Sequence, residues 1–383
     1  MPIPIPNKDK FPQTRDYTYL NTAAEGLLST GTQEAIAEYV RAKARGSINR
    51  PKLYEVEAAA VDLATRFLGA PGGSVTFLAN ATEGLNLLAN SLDWREGDEV
   101  VITDLEFPSN VVTWLRLANK GVRLQVVNAD GGLIRLEDIT SRFTSRTRLV
   151  SVSQVSYKSG TQLPYLKQLG EEVHHAGALF CVDATQALGR VPVGVENVDF
   201  LVASSYKWLF TPHGLGITYC SPDLLERLTP ATAGWYGVPD IFTPDRFERF
   251  EYKPGAARFA AGMPNFSSIY ALRASLDYLT EIGVARLDDS LRPLVQKMRG
   301  GIADLGLELL TPADPAYHSG IVSFLHPEAA AIGRTLAAQD IIVWANDGRV
   351  RSAMHLYNEE VEVDRYLEAV AKIVERNPVR AAS

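Results

Sequence analysis

Lys207 stands where a lysine can be made reactive. The segment Ser204-Ser205-Tyr206-Lys207-Trp208-Leu209-Phe210-Thr211-Pro212-His213-Gly214-Leu215-Gly216 follows an apolar run, Val198 to Ala203, that reads as a buried strand. It leads through a glycine-punctuated turn into a second run, Ile217 to Cys220. An amine anchored between two core strands is kept out of bulk water. Desolvation lowers its pKa and leaves a neutral nucleophile able to form a Schiff base with an aldehyde. The ordinary alternative is a solvated loop charge whose stem lies along the surface.

A second segment, Phe180-Cys181-Val182-Asp183-Ala184-Thr185-Gln186-Ala187-Leu188-Gly189, places Asp183 at the carboxyl end of the short strand Leu179 to Val182. In an open α/β sheet that is the end where ligands bind. A carboxylate there can pair with the pyridine nitrogen of pyridoxal phosphate and keep it protonated. Gln186, three residues on, can donate to the ring's phenolic oxygen, while a helix N-cap is the plainer role for Asp183. In a third segment, Phe77-Leu78-Ala79-Asn80-Ala81-Thr82-Glu83-Gly84-Leu85-Asn86, a strand passes through small polar residues into a helix over Leu85 to Leu92. Free N–H groups at such a helix start, with the Thr82 hydroxyl, suit a phosphate monoester; a capped helix without ligand has the same pattern.

Together the three segments resemble the fold-type I pyridoxal-phosphate enzymes, in particular the class V aminotransferase and cysteine-desulfurase group, on its isopenicillin N epimerase-like branch. The resemblance runs over nearly the whole chain. It begins at Tyr19-Leu20-Asn21-Thr22-Ala23-Ala24 and passes through Glu106-Phe107-Pro108-Ser109-Asn110. It ends in Arg258-Phe259-Ala260-Ala261-Gly262-Met263-Pro264-Asn265 and Arg351-Ser352-Ala353-Met354-His355-Leu356-Tyr357-Asn358. It implies that Lys207 carries the cofactor and moves the Cα proton, and that Asp183 and Gln186 contact its ring. Ala81, through its N–H, with Thr82, Ser204 and Tyr206 would hold the phosphate, and Phe107 would stack on the ring. Arg351 would grip the substrate α-carboxylate with two parallel hydrogen bonds. Asn21, Ala23, Ala24 and Tyr157 would line the substrate side. Arg45, Asn49 and Arg50 would approach from the partner in a homodimer whose site lies at the interface.

Several positions depart from the pattern. Tyr206 and Phe107 stand where desulfurases carry histidines; a phenol can still donate to phosphate, and a phenyl stacks but moves no protons. Met263 replaces a threonine that usually reaches the partner's phosphate. The stretch Ile342-Val343-Trp344-Ala345-Asn346-Asp347-Gly348-Arg349-Val350 is short and lacks the nucleophilic cysteine of desulfurases. The missing cysteine argues against persulfide formation, while the resemblance implies a small amino acid as substrate and transamination as the expected reaction. C–S lysis or epimerisation is the alternative, and a catalytically silent binding protein is a further one. With Arg351 as one carboxylate clamp and no second arginine securely placed, a neutral substrate is expected. Gly234-Trp235-Tyr236-Gly237, Phe107 and Trp344 would supply apolar pocket walls. A nicotinamide-dependent oxidoreductase ranks far lower, because no Gly-x-Gly-x-x-Gly follows the first strand.

The elements that must position these residues form an α/β pattern. Candidate strands Val75–Leu78, Glu99–Thr103, Arg123–Val127, Leu149–Val155, Leu179–Val182, Phe200–Ala203 and Leu215–Cys220 alternate with helical stretches such as Ser109–Asn119 and Leu166–Ala176. This predicts a mostly parallel seven-stranded sheet covered by helices. After Pro264 the texture changes to long helices, Ser267–Ile282 and Ala285–Asp304, then a strand Gly320–Leu325 and a closing helix Val363–Arg376. The expected division is a large domain over 17–264 and a smaller α+β domain over 265–383 that also takes in 1–16. The chain's 383 residues, 46% hydrophobic and 22% charged, describe a globular protein. The net charge of −7 offers no basic surface to nucleic acid or an anionic membrane. Neither a signal-like start nor an apolar stretch of bilayer length is present. Two cysteines within strand patterns read as free thiols of a cytoplasmic protein. The six histidines show no metal-ligand spacing.

Overall fold

The alternation of apolar strands with helices is realised in a computed structural model that describes residues 3–376. The chain enters through β1 (Thr18–Tyr19), α1 (Thr30–Lys43) and α2 (Arg50–Leu68). It then runs through β2 (Val75–Leu78), α3 (Ala81–Ser91), β3 (Glu99–Thr103), α4 (Ser109–Leu115) and β4 (Arg123–Val127). Next come α5 (Leu136–Thr140), β5 (Thr147–Ser153), α6 (Leu166–His175), β6 (Leu179–Asp183), β7 (Phe200–Ser204), β8 (Gly216–Cys220) and α7 (Pro222–Arg227). The seven strands β2 to β8 form one sheet in the order β2-β8-β7-β6-β5-β3-β4, parallel except for β8.

Both faces of this sheet are buried, as a parallel sheet requires. Along β7, Leu201 and Ala203 enter one core and Phe200 and Val202 the other, following the two-residue side-chain period. The helices α8 (Phe266–Ile282) and α9 (Val284–Asp304) follow, and α8 packs against α1 and α2. The first of the two sheet cores reaches past residue 264: Ile269, Leu272 and Leu276 of α8 and Leu287 and Leu291 of α9 belong to it.

A second sheet is built from β9 (Ile321–Leu325), β11 (Trp344–Asn346) and β12 (Arg349–Ala353), antiparallel in the order β11-β12-β9. Between β9 and β11 lie α10 (Ala329–Ala337) and the short β10 (Ile341–Ile342), and α11 (Glu360–Arg376) closes the described chain. These elements share a third core, with Val295, Met298 and Ile302 from the later half of α9. β1 pairs in parallel with β10, and Asn21 bridges to Ala353, so the amino-terminal segment is stitched to the carboxyl-terminal sheet.

One buried ion pair ties the two sheets together. Arg190, fully buried just after the Asp183 segment, donates to Asp288 of α9 at 2.7 Å and to the Met354 carbonyl at 3.2 Å. Arg292 donates to the other oxygen of Asp288 at 2.6 Å, so the buried carboxylate answers two guanidinium groups. Removing Asp288 would leave Arg190 as an uncompensated buried charge beside Met354 and Trp208. Among the described residues, no helix is long and apolar enough to cross a membrane.

Candidate active site

The parallel strands β2, β3, β5, β6 and β7 end on one side of the sheet, and antiparallel β8 begins there. Their termini surround a cavity of about 480 Å³. Ala81, Thr82, Phe107, Tyr157, Asp183, Gln186, Ser204, Tyr206 and Lys207 all line it. Residues from five separate segments thus meet at the carboxyl edge of an open sheet, where such sheets bind ligands.

The lysine segment is held by its neighbours. Ser205 Oγ donates to the Leu215 carbonyl at 2.8 Å, and Thr211 Oγ1 donates to Ser205 Oγ at 2.6 Å. The Gly26 N–H donates to the Tyr206 carbonyl at 2.9 Å, and a Cβ on Gly26 would lie 1.8 Å from the Lys207 carbonyl oxygen. Only glycine lets the amino-terminal loop press so closely on Lys207. The lysine is 6% exposed, with Nζ 5.2 Å from the Phe107 ring centroid and 5.6 Å from that of Tyr206. Burial pushes its pKa down to about 8, helped by the charge of Arg351 and opposed by Asp183 and Glu25. The amine is neutral far more often than a solvated lysine.

Asp183 is buried, and its Oδ1 accepts the Thr185 N–H at 2.8 Å. Burial raises its pKa; the Thr185 bonds and the Lys207 charge pull it back. No helix starts here, so the capping role is not taken. Gln186 donates through Nε2 to the Ala23 carbonyl at 2.9 Å and accepts from Trp208 Nε1 at 2.7 Å. One amide hydrogen remains for any ligand group, and the amide plane is fixed.

The helix expected from Leu85 begins at Ala81 instead, because Asn80 caps it by accepting the Glu83 N–H at 2.9 Å. Ala81 and Thr82 therefore occupy its first turn. The Ala81 N–H donates to Ser204 Oγ at 3.1 Å, and Thr82 Oγ1 shares a 2.7 Å hydrogen bond with Ser109 Oγ. Ser109, Ser153, Thr185 and His213 also line the cavity, although the sequence reading assigned them nothing. His213 stacks on Tyr206 with ring centroids 4.4 Å apart. Glu106, quoted only as part of a motif, is a fully buried carboxylate with four donors. Thr103 Oγ1 and Asn110 Nδ2 donate at 2.7 Å, Ser153 Oγ at 2.6 Å and the Ser153 N–H at 3.0 Å. It clamps the Phe107 loop to the end of β5.

Other expected positions stand apart from the cavity wall. Ala23 contributes through its carbonyl to Gln186, and Ala24 is half-buried nearby. Arg351 lies behind Tyr157, donating through Nη1 to the Tyr157 carbonyl at 2.8 Å. Arg45 and Arg50 are exposed and Asn49 half-buried, at the joint of α1 and α2. The aromatic segment does not form a pocket wall as expected. Trp235 is 43% exposed, and the Tyr236 hydroxyl is bonded to Glu57 on α2. Trp344 lies against Arg349 and Arg351 rather than in the cavity.

The stretch before Arg351 is a tight hairpin. Asn346 pairs with Arg349 across the two-residue turn Asp347-Gly348, whose φ values are 51° and 70°. Cys181 and Cys220 are buried in β6 and β8, and burial pushes both thiols up. Neither is placed or ionised for nucleophilic work.

A family model described as aminotransferase class-V matches residues 19–366. The chain belongs to the class V aminotransferase family. A probable cysteine desulfurase of Methanothermobacter thermautotrophicus is 29% identical over 95% of this chain and 96% of its own length. An uncharacterised aminotransferase of Bacillus subtilis is 26% identical over 96% and 98%. The apo structure of a cysteine desulfurase from Thermococcus onnurineus superposes with a TM-score of 0.91 at 27% identity, covering 98% of this chain and all of that one. The family's members are enzymes that use pyridoxal phosphate. The donor set of the cavity fits that cofactor: a neutral-leaning amine for its aldehyde, a buried carboxylate for its ring nitrogen, and a helix start with hydroxyls for its phosphate.

Proposed function

We propose that this family member acts on an amino acid and transfers its amino group to a 2-oxo acid. The observation that carries the reading is the buried Lys207 amine, held near a pKa of about 8 in one cavity with Asp183. When bound, pyridoxal phosphate supplies an electron-withdrawing ring that takes up the charge left as a bond to the substrate Cα breaks. Lys207 would be the residue that holds the cofactor through its aldehyde and the base that moves the Cα proton. Asp183 would offer its carboxylate to the ring nitrogen, and the remaining Gln186 amide hydrogen would serve the ring oxygen. The first turn of α3, with Thr82, Ser204 and Tyr206, would hold the phosphate, and Phe107 would stack on the ring. Arg351, which donates to the Tyr157 carbonyl, would hold the substrate α-carboxylate.

A C–S lyase acting on a cysteine-type substrate is the second reading, favoured by relatives named as cysteine desulfurases. Persulfide formation on the enzyme is not part of it, since the hairpin at Asp347-Gly348 bears no cysteine. Mixing the holoenzyme with a panel of L-amino acids decides between them. Conversion of the bound cofactor to its pyridoxamine form supports transfer. Sulfide and pyruvate released at constant cofactor form would overturn it in favour of the lyase.

A further inference from the structure

Two arginines of β12 lie side by side without an anion to answer them. Arg349 and Arg351 are two residues apart on one strand, so their side chains leave the same face of the sheet. Each is only 4% exposed, and the Nε of each is buried without an acceptor. Neither makes a salt bridge to a carboxylate among the described residues. Apart from the Tyr157 carbonyl that Arg351 Nη1 reaches at 2.8 Å, the surroundings are aromatic. The Arg349 guanidinium lies 4.9 Å from the Tyr157 ring centroid and 4.6 Å from that of Trp344, and Arg351 lies 5.3 Å from Trp344.

Aromatic faces stabilise a guanidinium but offer no acceptor along its hydrogen-bonding edge. Two like charges buried together remain costly until an anion arrives. Tyr157 is both the plate beneath Arg349 and part of the cavity wall, so it links the pair to the space in front of Lys207, and the charge of Arg351 is felt at Lys207. One carboxylate satisfies one guanidinium fork; two forks call for two anionic groups. A neutral substrate was expected from the sequence because no second arginine was securely placed there, Arg349 and Arg258 being the weaker candidates. Pairing of β12 with both β9 and β11 buries it.

We propose that Arg349 and Arg351 together select a dianionic substrate, an amino acid with a second carboxylate or a sulfinate on its side chain. Arg351 takes the α-carboxylate and Arg349 the side-chain anion. This rests on the reading of Arg351 given above, but its test does not need the cofactor to react.

Succinate and butyrate have similar length, lack an amine and differ by one carboxylate. Titration calorimetry on the full-length protein should show succinate binding at least about tenfold more tightly than butyrate. R349Q should erase that preference, and R349K, which keeps the charge but loses the fork, should restore part of it. Equal affinities within about twofold in the wild-type protein would overturn the proposal, as would a succinate preference that survives in R349Q. The wild-type comparison stands even if a variant fails to fold. Failure of the amino-acid panel would sink the transferase reading without touching this preference. Among substrates, kcat/KM for L-aspartate, L-glutamate and L-cysteine sulfinate identifies which acid is used. A neutral amino acid such as L-asparagine exceeding all three would refute the selection.

Discussion

Replacing Lys207 by methionine in the cofactor-free protein should stabilise the fold. The amine is driven from 10.5 to about 8, first by burial and then by Arg351, against the pull of Asp183 and Glu25. Unfolded, it keeps its proton up to about 10.5; folded, only up to about 8. Between those values the unfolded chain binds more protons, so stability rises with pH. Below about 8 the full penalty applies, and above about 10.5 it is gone. A drop of that size corresponds to about 3 kcal/mol. Methionine fills much of the space of the lysine stem without the charge. Urea denaturation of the two apoproteins should therefore show the variant more stable at about pH 7 by up to about 3 kcal/mol. The gap should close steadily toward about pH 10.5. A gap that does not change with pH, or a variant less stable at neutral pH, would refute the reasoning. The wild-type protein would then be shown to accommodate the charged amine without cost.

Three further outcomes follow from the site. Borohydride reduction of the holoenzyme should fix the cofactor on the Lys207 peptide, and Lys207→Ala should lose the visible absorption band; label on Lys158 or Lys253 would contradict the assignment. Asp183→Asn should retain part of its cofactor binding while turnover falls by roughly 10²–10³-fold, because a fixed charge acts most as charge develops in the transition state. Undiminished turnover would remove Asp183 from its role. Sedimentation should show a two-fold dimer, given the exposed apolar side chains Ile48, Phe242, Phe247 and Phe250 and the exposed Arg45 and Arg50. A fully active monomer would exclude a site completed by the partner.

The sequence by itself determined the seven strands of the main sheet, within a few residues at each end, and the segments at their carboxyl termini. Those signals are local. A buried parallel strand is a short apolar run, and a residue just after it must stand at the sheet's edge, as Asp183 and Lys207 do. The missing cysteine was equally plain, although the two-residue turn in that stretch required the pairing of Asn346 with Arg349 to be seen. Tertiary structure alone decided what faces each group. Gln186 is fixed by Trp208 and by the Ala23 carbonyl, from 163 residues away in the chain. Glu106 is satisfied by Ser153, 47 residues on. The aromatic segment around Trp235 turned outward against α2 instead of lining the cavity. Arg349 was buried beside Arg351 by strands on both sides of β12. Burial and charge pairing depend on what packs opposite a residue, and no local period in the chain encodes a neighbour brought in from so far away.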